Sequence, residues 1–200
     1  MTPTPTLPAP EGYSIHPVTP DRWDDLERLF GPQGAFMGCW CAYWRLRHKE
    51  FGETSAEAHK CVLQERVESD QPPGLLAYRA DEPVAWASVE PREDFEAFQY
   101  ARVYKPIDDT PVWTVTCFYV DESARGEGMQ THLLAAARDH VAASGGDAVE
   151  GYPEDPADVD FESTGTPGYM GLVPAFERAG FREVGRLSNG RYVYRATFEE

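Results

Sequence analysis

The sequence predicts a mixed α/β domain of about seven strands and four helices. Three observations carry that reading. Residues 112–120 (VWTVTCFYV) form a β-branched and aromatic run with no acid, base, Gly or Pro inside it. That is the signature of a strand buried on both faces. Met129, Leu133, Ala137 and Val141 follow at four-residue steps and Gly145-Gly146 closes the run, which is an amphipathic helix with a glycine stop. Near the C-terminus, Asn189-Gly190 separates two β-patterned stretches, 182–188 and 191–198. This dipeptide is a strong short-range hairpin signal.

The other elements fall in order between these anchors. Residues 1–12 are rich in Thr and Pro and read as a flexible arm, so a single domain is expected over 13–200. Residues 13–18 read as a strand. Thr19-Pro20 then opens a helix carrying Trp23, Leu26, Leu29 and Phe30 at helical spacing, and Gly31-Pro32 ends it. Thr54 with Glu57 is a capping-box pair for a second helix reaching about Ser69, broken by Pro72-Pro73-Gly74. Residues 74–80 and 83–90 form a hairpin turning at Asp81-Glu82, and a short helical piece follows over 93–100. After the long helix, residues 147–152 make a short strand stopped by Pro153. A loop over 153–168 carries Glu154, Asp155, Asp158, Asp160 and Glu162. A loop this long inside a compact domain usually has a function. Residues 169–179 read as a helix ended by Gly180. There is no internal repeat.

Composition excludes several classes. The 200 residues hold 18 Lys plus Arg against 34 Asp plus Glu, a formal charge of −16. Such a chain does not bind nucleic acid or anionic lipid through its overall field. Hydrophobic residues at 42% and aromatics at 12% exclude a disordered acidic segment. No apolar run approaches the roughly 18 residues of a membrane span, and no signal-peptide pattern opens the chain. A cytoplasmic location without a membrane partner is therefore expected. Four Cys are no disulfide framework. Cys39-Trp40-Cys41 lacks the second pair that a zinc site needs, so no metal is expected.

The unit 112–143 carries the chemistry. Gly126 and Gly128 stand where the buried strand ends and the helix starts. Glycines there let successive backbone N–H groups turn toward one anion, and the helix start adds a positive dipole end. Arg125 adds a permanent charge and Thr131 a hydroxyl in the first turn. A pyrophosphate fits this arrangement; a plain tight turn is the alternative. The pattern lacks the P-loop lysine and the G-x-G-x-x-G spacing of dinucleotide folds.

VWTVTCFYV followed by DESARGEGMQTHLL resembles the acetyl-CoA-binding segment of the GNAT superfamily of N-acetyltransferases. AFERAGFREVGR resembles that family's last helix, its Gly-Phe turn and the strand after it. The resemblance covers roughly residues 13–198. The stretch GCWCAYWR, with EGYP and GYMGLVPAFERAGF, looks like one uncharacterised bacterial branch. The resemblance implies a mixed, mostly antiparallel sheet whose central strand is splayed by a bulge. It implies acetyl-CoA as co-substrate and direct acetyl transfer to a primary amine of a small molecule. A homodimer is also implied, since the family often dimerises. Phe118, Tyr119 and Val120 match the positions whose backbone contacts pantetheine. Arg125, Gly126 and Gly128 match the pyrophosphate loop, with Met129, Gln130 and Thr131 completing the site. The family expects Gly or Ala where Gln130 stands.

Acetyl transfer needs a deprotonated amine, a polarised carbonyl and a protonated leaving thiolate. The family's usual base and acid positions are held here by Thr114, Thr116 and Phe176. Glu150 is the substitute base, with Glu90 second. Tyr169, seven residues before Phe176 and on the same face of the expected helix, is the substitute acid. Their blander readings are a salt-bridged strand carboxylate and a packing ring. Trp40, Tyr43 and Trp44 either wall the acceptor pocket or staple their segment to the sheet. Cys117 reads as an inert core thiol. The missing catalytic pair leaves one alternative: an acyl-CoA-binding module with little or no catalysis and a sensing or regulatory role. The acids of 153–168 favour a cationic amine acceptor.

Overall fold

The computed structural model describes residues 9–162 and 166–198; most of the expected N-terminal arm, residues 1–8, lies outside them. Seven strands form one sheet: β1 (Tyr13–Pro17), β2 (Gly74–Arg79), β3 (Glu82–Pro91), β4 (Trp113–Val120), β5 (Ala148–Gly151), β6 (Arg182–Arg186) and β7 (Tyr192–Thr197). Their order is β1-β2-β3-β4-β5-β7-β6. Every neighbouring pair is antiparallel except β4 with β5. The helices are α1 (Trp23–Phe30), α2 (His48–Glu53), α3 (Ala56–Val67), α4 (Glu96–Tyr100), α5 (Met129–Ala143) and α6 (Val173–Arg178). None in the described residues is long and apolar enough to cross a membrane.

Both sheet faces are covered. Leu133 and Leu134 of α5 and Phe176 of α6 pack on Leu75, Ala87 and Val115. On the opposite face, Leu26 and Phe30 of α1 and Leu63 of α3 pack on Leu76 and Trp86. A third cluster on the β5–β7 side gathers Trp44, Phe95, Phe98, Tyr152 and Met170. The continuous apolar pattern of β4 follows from this double coverage.

The local signals erred in two places. Helix α3 is capped by Ser55, whose side chain accepts from the Ala58 N–H at 3.3 Å. Thr54 instead donates to the Glu50 carbonyl at 2.8 Å, closing α2, an element the periodicity did not show. The helix expected over 169–179 begins only at Val173. Gly168 and Gly171 adopt φ of 70° and 97°, and Pro174 sits in the first turn. A Cβ at Gly171 would lie 2.5 Å from the Phe176 ring, so this turn requires glycine twice over. Tyr169 therefore lies in a turn and does not share a helix face with Phe176.

The feature that positions the site is in β4. Ser88 pairs with Cys117 and Val89 with Val115, leaving Thr116 as an extra residue. That is a β-bulge. Thr116 donates to Ser88 Oγ at 3.1 Å, Cys117 packs on the Trp86 cluster, and Phe118 returns to the α5 side. The parallel pairing with β5 runs from Trp113–Val149 to Val115–Gly151 and stops at the bulge. The two strands part there and a wedge opens between them, as the expected splay requires.

Candidate active site

A cavity of about 1030 Å³ runs from the wedge to the first turn of α5. Phe118, Tyr119, Val120, Arg125, Gly126, Gly128, Met129, Gln130 and Thr131 all line it. The structure thus brings every sequence-derived donor-site residue to one space. Gly126 and Gly128 have φ of 80° and 74°, left-handed values that aim the following N–H groups outward. The Thr131 N–H donates to the Gly128 carbonyl at 2.9 Å, and the Met129 and Gln130 N–H groups ahead of it, at the helix start, have no intrahelical acceptor. The Thr131 hydroxyl is buried and has no hydrogen-bond partner among the described residues. A buried hydroxyl left unpaired is costly, and an anion at the helix start would satisfy it.

Charge at this cavity runs opposite to that of the chain. Arg125 and Arg178 line it, and no described carboxylate does. Glu127, inside the loop itself, accepts from Tyr13 Oη and Arg79 Nη2, each at 2.5 Å. Its charge is thereby engaged outside the cavity lining. The glycine cradle, the orphaned hydroxyl and the two arginines fit a pyrophosphate.

At the wedge end, the Phe118 N–H donates to the Tyr169 carbonyl at 2.7 Å. Tyr169 lines the cavity, and its phenol lies within electrostatic reach of Tyr104, Cys117 and Tyr43. Burial is the largest cause that raises its pKa, so the phenol keeps its proton.

Glu150 is elsewhere. It is 2% exposed. Its Oε1 accepts from Tyr152 Oη at 2.9 Å, and its Oε2 accepts from Arg195 Nε and Nη2 at 2.9 and 2.7 Å. It lines a smaller cavity, about 420 Å³, with Arg92, Asp108 and Arg195. The structure does not bring Glu150 and Tyr169 together. Glu90 is also buried and held by Arg45 and Arg66. Both carboxylates are engaged by guanidinium groups. Glu150→Gln would leave Arg195 with Asp108 as its remaining carboxylate among the described residues. Thermal unfolding should show a loss of about 2 kcal/mol, roughly 6 °C in Tm. An unchanged Tm would mean the ion pair carries no stability.

Trp40 and Trp44 are buried, at 5% and 4% exposure. Trp40 stacks on Trp23 and tilts against Phe30, and Trp44 stacks on Phe98. These two rings pin the 38–45 segment to the sheet. Tyr43 is half-buried between His48 and Trp44. Trp40 and Cys41 both have left-handed backbone, φ 45° and 50°. That conformation sets the Cys41 thiol against Trp86 Nε1–H at 3.1 Å. A hydrogen bond with Cys117 lowers the pKa of Cys41 and raises that of Cys117. Among the described residues no group of three or more His, Cys, Asp or Glu could hold a metal ion. In the acidic loop, Glu154 accepts from Arg191 at 2.6 Å and Asp155 from the Ala157 N–H at 2.9 Å.

Sequence reasoning missed Arg178, Phe36 and Phe161, which line the main cavity. Arg178 ends α6 and is exposed. Phe36 and Phe161 are 38% and 55% exposed. Each reaches the cavity through tertiary packing from a distant segment, which no local spacing encodes.

Fold and site together define an α/β protein with a glycine-lined anion cradle leading into a wedge between two parallel strands. The chain belongs to the GNAT family of acetyltransferases, whose sequence profile, described as Acetyltransferase (GNAT) family, matches residues 35–157. That family uses acetyl-CoA as co-substrate. Solved structures share the fold. The Salmonella typhimurium protein yncA, with its cofactor acetyl-CoA, is 13% identical over 95% of this chain and 96% of that one, with a TM-score of 0.54. A GCN5-related N-acetyltransferase from Kribbella flavida is 15% identical over 95% of this chain and 100% of that one, with a TM-score of 0.53. AAC(6')-Ib in complex with paromomycin and acetyl-CoA is 14% identical over 94% of each chain, with a TM-score of 0.52. No curated protein matches the sequence significantly.

Proposed function

We propose that this chain is an acetyl-CoA-dependent N-acetyltransferase that moves an acetyl group directly to a primary amine of a small molecule. The observation that carries the reading is the single cavity joining the anion cradle, with its orphaned Thr131 hydroxyl, to the wedge at Phe118 and Tyr169. Bound acetyl-CoA supplies a thioester carbonyl open to attack. The cradle from Arg125 to Thr131 holds the pyrophosphate, and the β4 backbone over Phe118, Tyr119 and Val120 aligns the pantetheine arm beside the 168–172 turn, whose Tyr169 carbonyl already holds the Phe118 N–H. Tyr169 gives its proton to the departing sulfur. Tyr43 stands on the acceptor side, with Trp40 and Trp44 bracing the segment behind it. The domain spans residues 13–200, and the chain's −16 charge suits a cytoplasmic enzyme without nucleic-acid or membrane partners.

Neither Glu90 nor Glu150 has a carboxylate oxygen free of an arginine or tyrosine donor. In this reading the acceptor ammonium sheds its proton to water before attack, the proton that the nitrogen loses on becoming an amide returns through water to the Tyr169 phenolate, and Glu150 is a structural carboxylate. Only a neutral amine attacks, and its fraction rises tenfold per pH unit below its own pKa. The acceptor kcat/KM should therefore climb with unit slope up to the pKa of the amine used. A plateau near pH 6–7 would point to a protein base.

Calorimetric titration with acetyl-CoA and CoA tests the donor site, and thiol release over a panel of amines tests transfer. No binding at millimolar donor would overturn the reading. Binding without turnover above the solvent rate would favour the acyl-CoA-binding module.

A further inference from the structure

The Gln130 carboxamide spans from α5 to the Gly168–Leu172 turn. Its Nε2 donates to the Gly168 carbonyl at 3.1 Å, and its Oε1 accepts from the Leu172 N–H at 3.2 Å. The opposite sense of the two bonds uses both ends of one amide group. The turn lies inside the wedge. On the β4 side the Tyr169 carbonyl takes the Phe118 N–H at 2.7 Å. On the far side the Gly171 carbonyl takes the Glu154 N–H at 3.0 Å, and Glu154 Oε2 takes the Gly168 N–H at 3.1 Å. Residues 168–172 thus stand between β4 and the chain beyond β5 like an interposed strand. Two left-handed glycines, Gly168 and Gly171, bend it. Gln130 reaches this turn from the helix that opens the anion cradle. Glycine or alanine, the residues that the family resemblance predicts at this place, could make neither bond.

We propose that Gln130 is a positioning residue whose carboxamide pins the Gly168–Leu172 turn in the wedge and so sets the Tyr169 phenol at the acyl end of the cavity. Its kinetic consequence rests on the acetyltransferase reading; its structural consequence does not. Gln130 acts through the turn, so its loss should loosen Tyr169 more than it weakens the hold on phosphate, which relies on backbone N–H groups and Arg125.

Two variants separate the roles. Gln130→Met keeps the side-chain length and removes both hydrogen bonds. Gln130→Gly, the residue the family predicts, also removes them and serves if Met disturbs folding. Amide hydrogen exchange is measured on the donor-free proteins. The informative site is Phe118, which Gln130 does not touch: its exchange should quicken about tenfold in either variant, as expected for local opening after loss of two hydrogen bonds. Acetyl-CoA affinity by calorimetry should stay within about twofold of the native protein, while kcat falls about tenfold with little change in the acetyl-CoA KM. Unchanged Phe118 exchange with weakened acetyl-CoA binding would make Gln130 a phosphate ligand and overturn the proposal. Unchanged exchange and unchanged kcat would also overturn it. If native protein binds no acetyl-CoA, the functional reading fails, and Phe118 exchange still decides whether the clamp exists.

Discussion

Gly128→Val should raise the Kd for CoA at least about 1000-fold while the domain stays folded. Gly128 caps α5 with φ 74° and ψ 20°. A β-branched residue held there pays about 1–3 kcal/mol of backbone strain. Relaxing toward ordinary φ would swing the following N–H groups of Met129 and Gln130 away from their common focus. Remaining left-handed would keep the focus but project the side chain outward. A Cβ at this position meets no atom within 4 Å, because the position borders the open cavity. The two methyls would then stand where a phosphate must approach the backbone. Either outcome removes the anion site, and neither disturbs the core. Calorimetry should show no heat with CoA, and thermal unfolding should stay cooperative with a Tm lower by several degrees at most. An unchanged affinity would place the anion site outside this loop.

Much of this architecture was legible because local chemistry and tertiary context agree. The run 112–120 is β-prone and lies in a sheet covered on both faces. Gly126 and Gly128 occupy left-handed turns that leave few residue types a choice. Legibility failed where long-range contacts outrank local preference. The residues 169–179 carry a helical pattern, but the left-handed Gly171 and Pro174 delay α6 to Val173. Glu150 on its short strand reads either as a base or as a salt-bridged carboxylate, and only Arg195, arriving from β7, 45 residues later, decides for the second. Trp40 and Trp44 read equally well as pocket walls and as anchors, and only burial distinguishes the two. Gln130 departs from the glycine or alanine that the family resemblance predicts, and the partners that explain it, Gly168 and Leu172, lie about 40 residues on. The global charge is no guide to the cavity, whose anion site is read from the local glycines and Arg125. A chain of −16 surrounds its main cavity with Arg125 and Arg178.

Tyr169→Phe should lower kcat about 100-fold and leave the acetyl-CoA KM within about twofold, the pattern of a group acting in the transition state alone. The substitution keeps the ring that packs beside the Trp44 and Met170 cluster, so stability should change little. What is lost is one proton donor. Burial raises the pKa of this phenol above its ordinary value near 10. The sign follows directly: burial disfavours the phenolate, so the protonated form persists throughout pH 6–10. The native rate should therefore rise with deprotonation of the acceptor and show no descending limb below about pH 10. The same argument supplies a control within the variant. A leaving thiol more acidic than that of CoA can depart as the thiolate without help. An acetyl thioester of such a pantetheine analogue should recover most of the deficit in Tyr169→Phe and gain little in the native protein. A variant equally slow with both donors would assign the loss to misplacement of the thioester and leave Tyr169 as a packing ring. Full kcat with acetyl-CoA would exclude the phenol from the chemistry altogether.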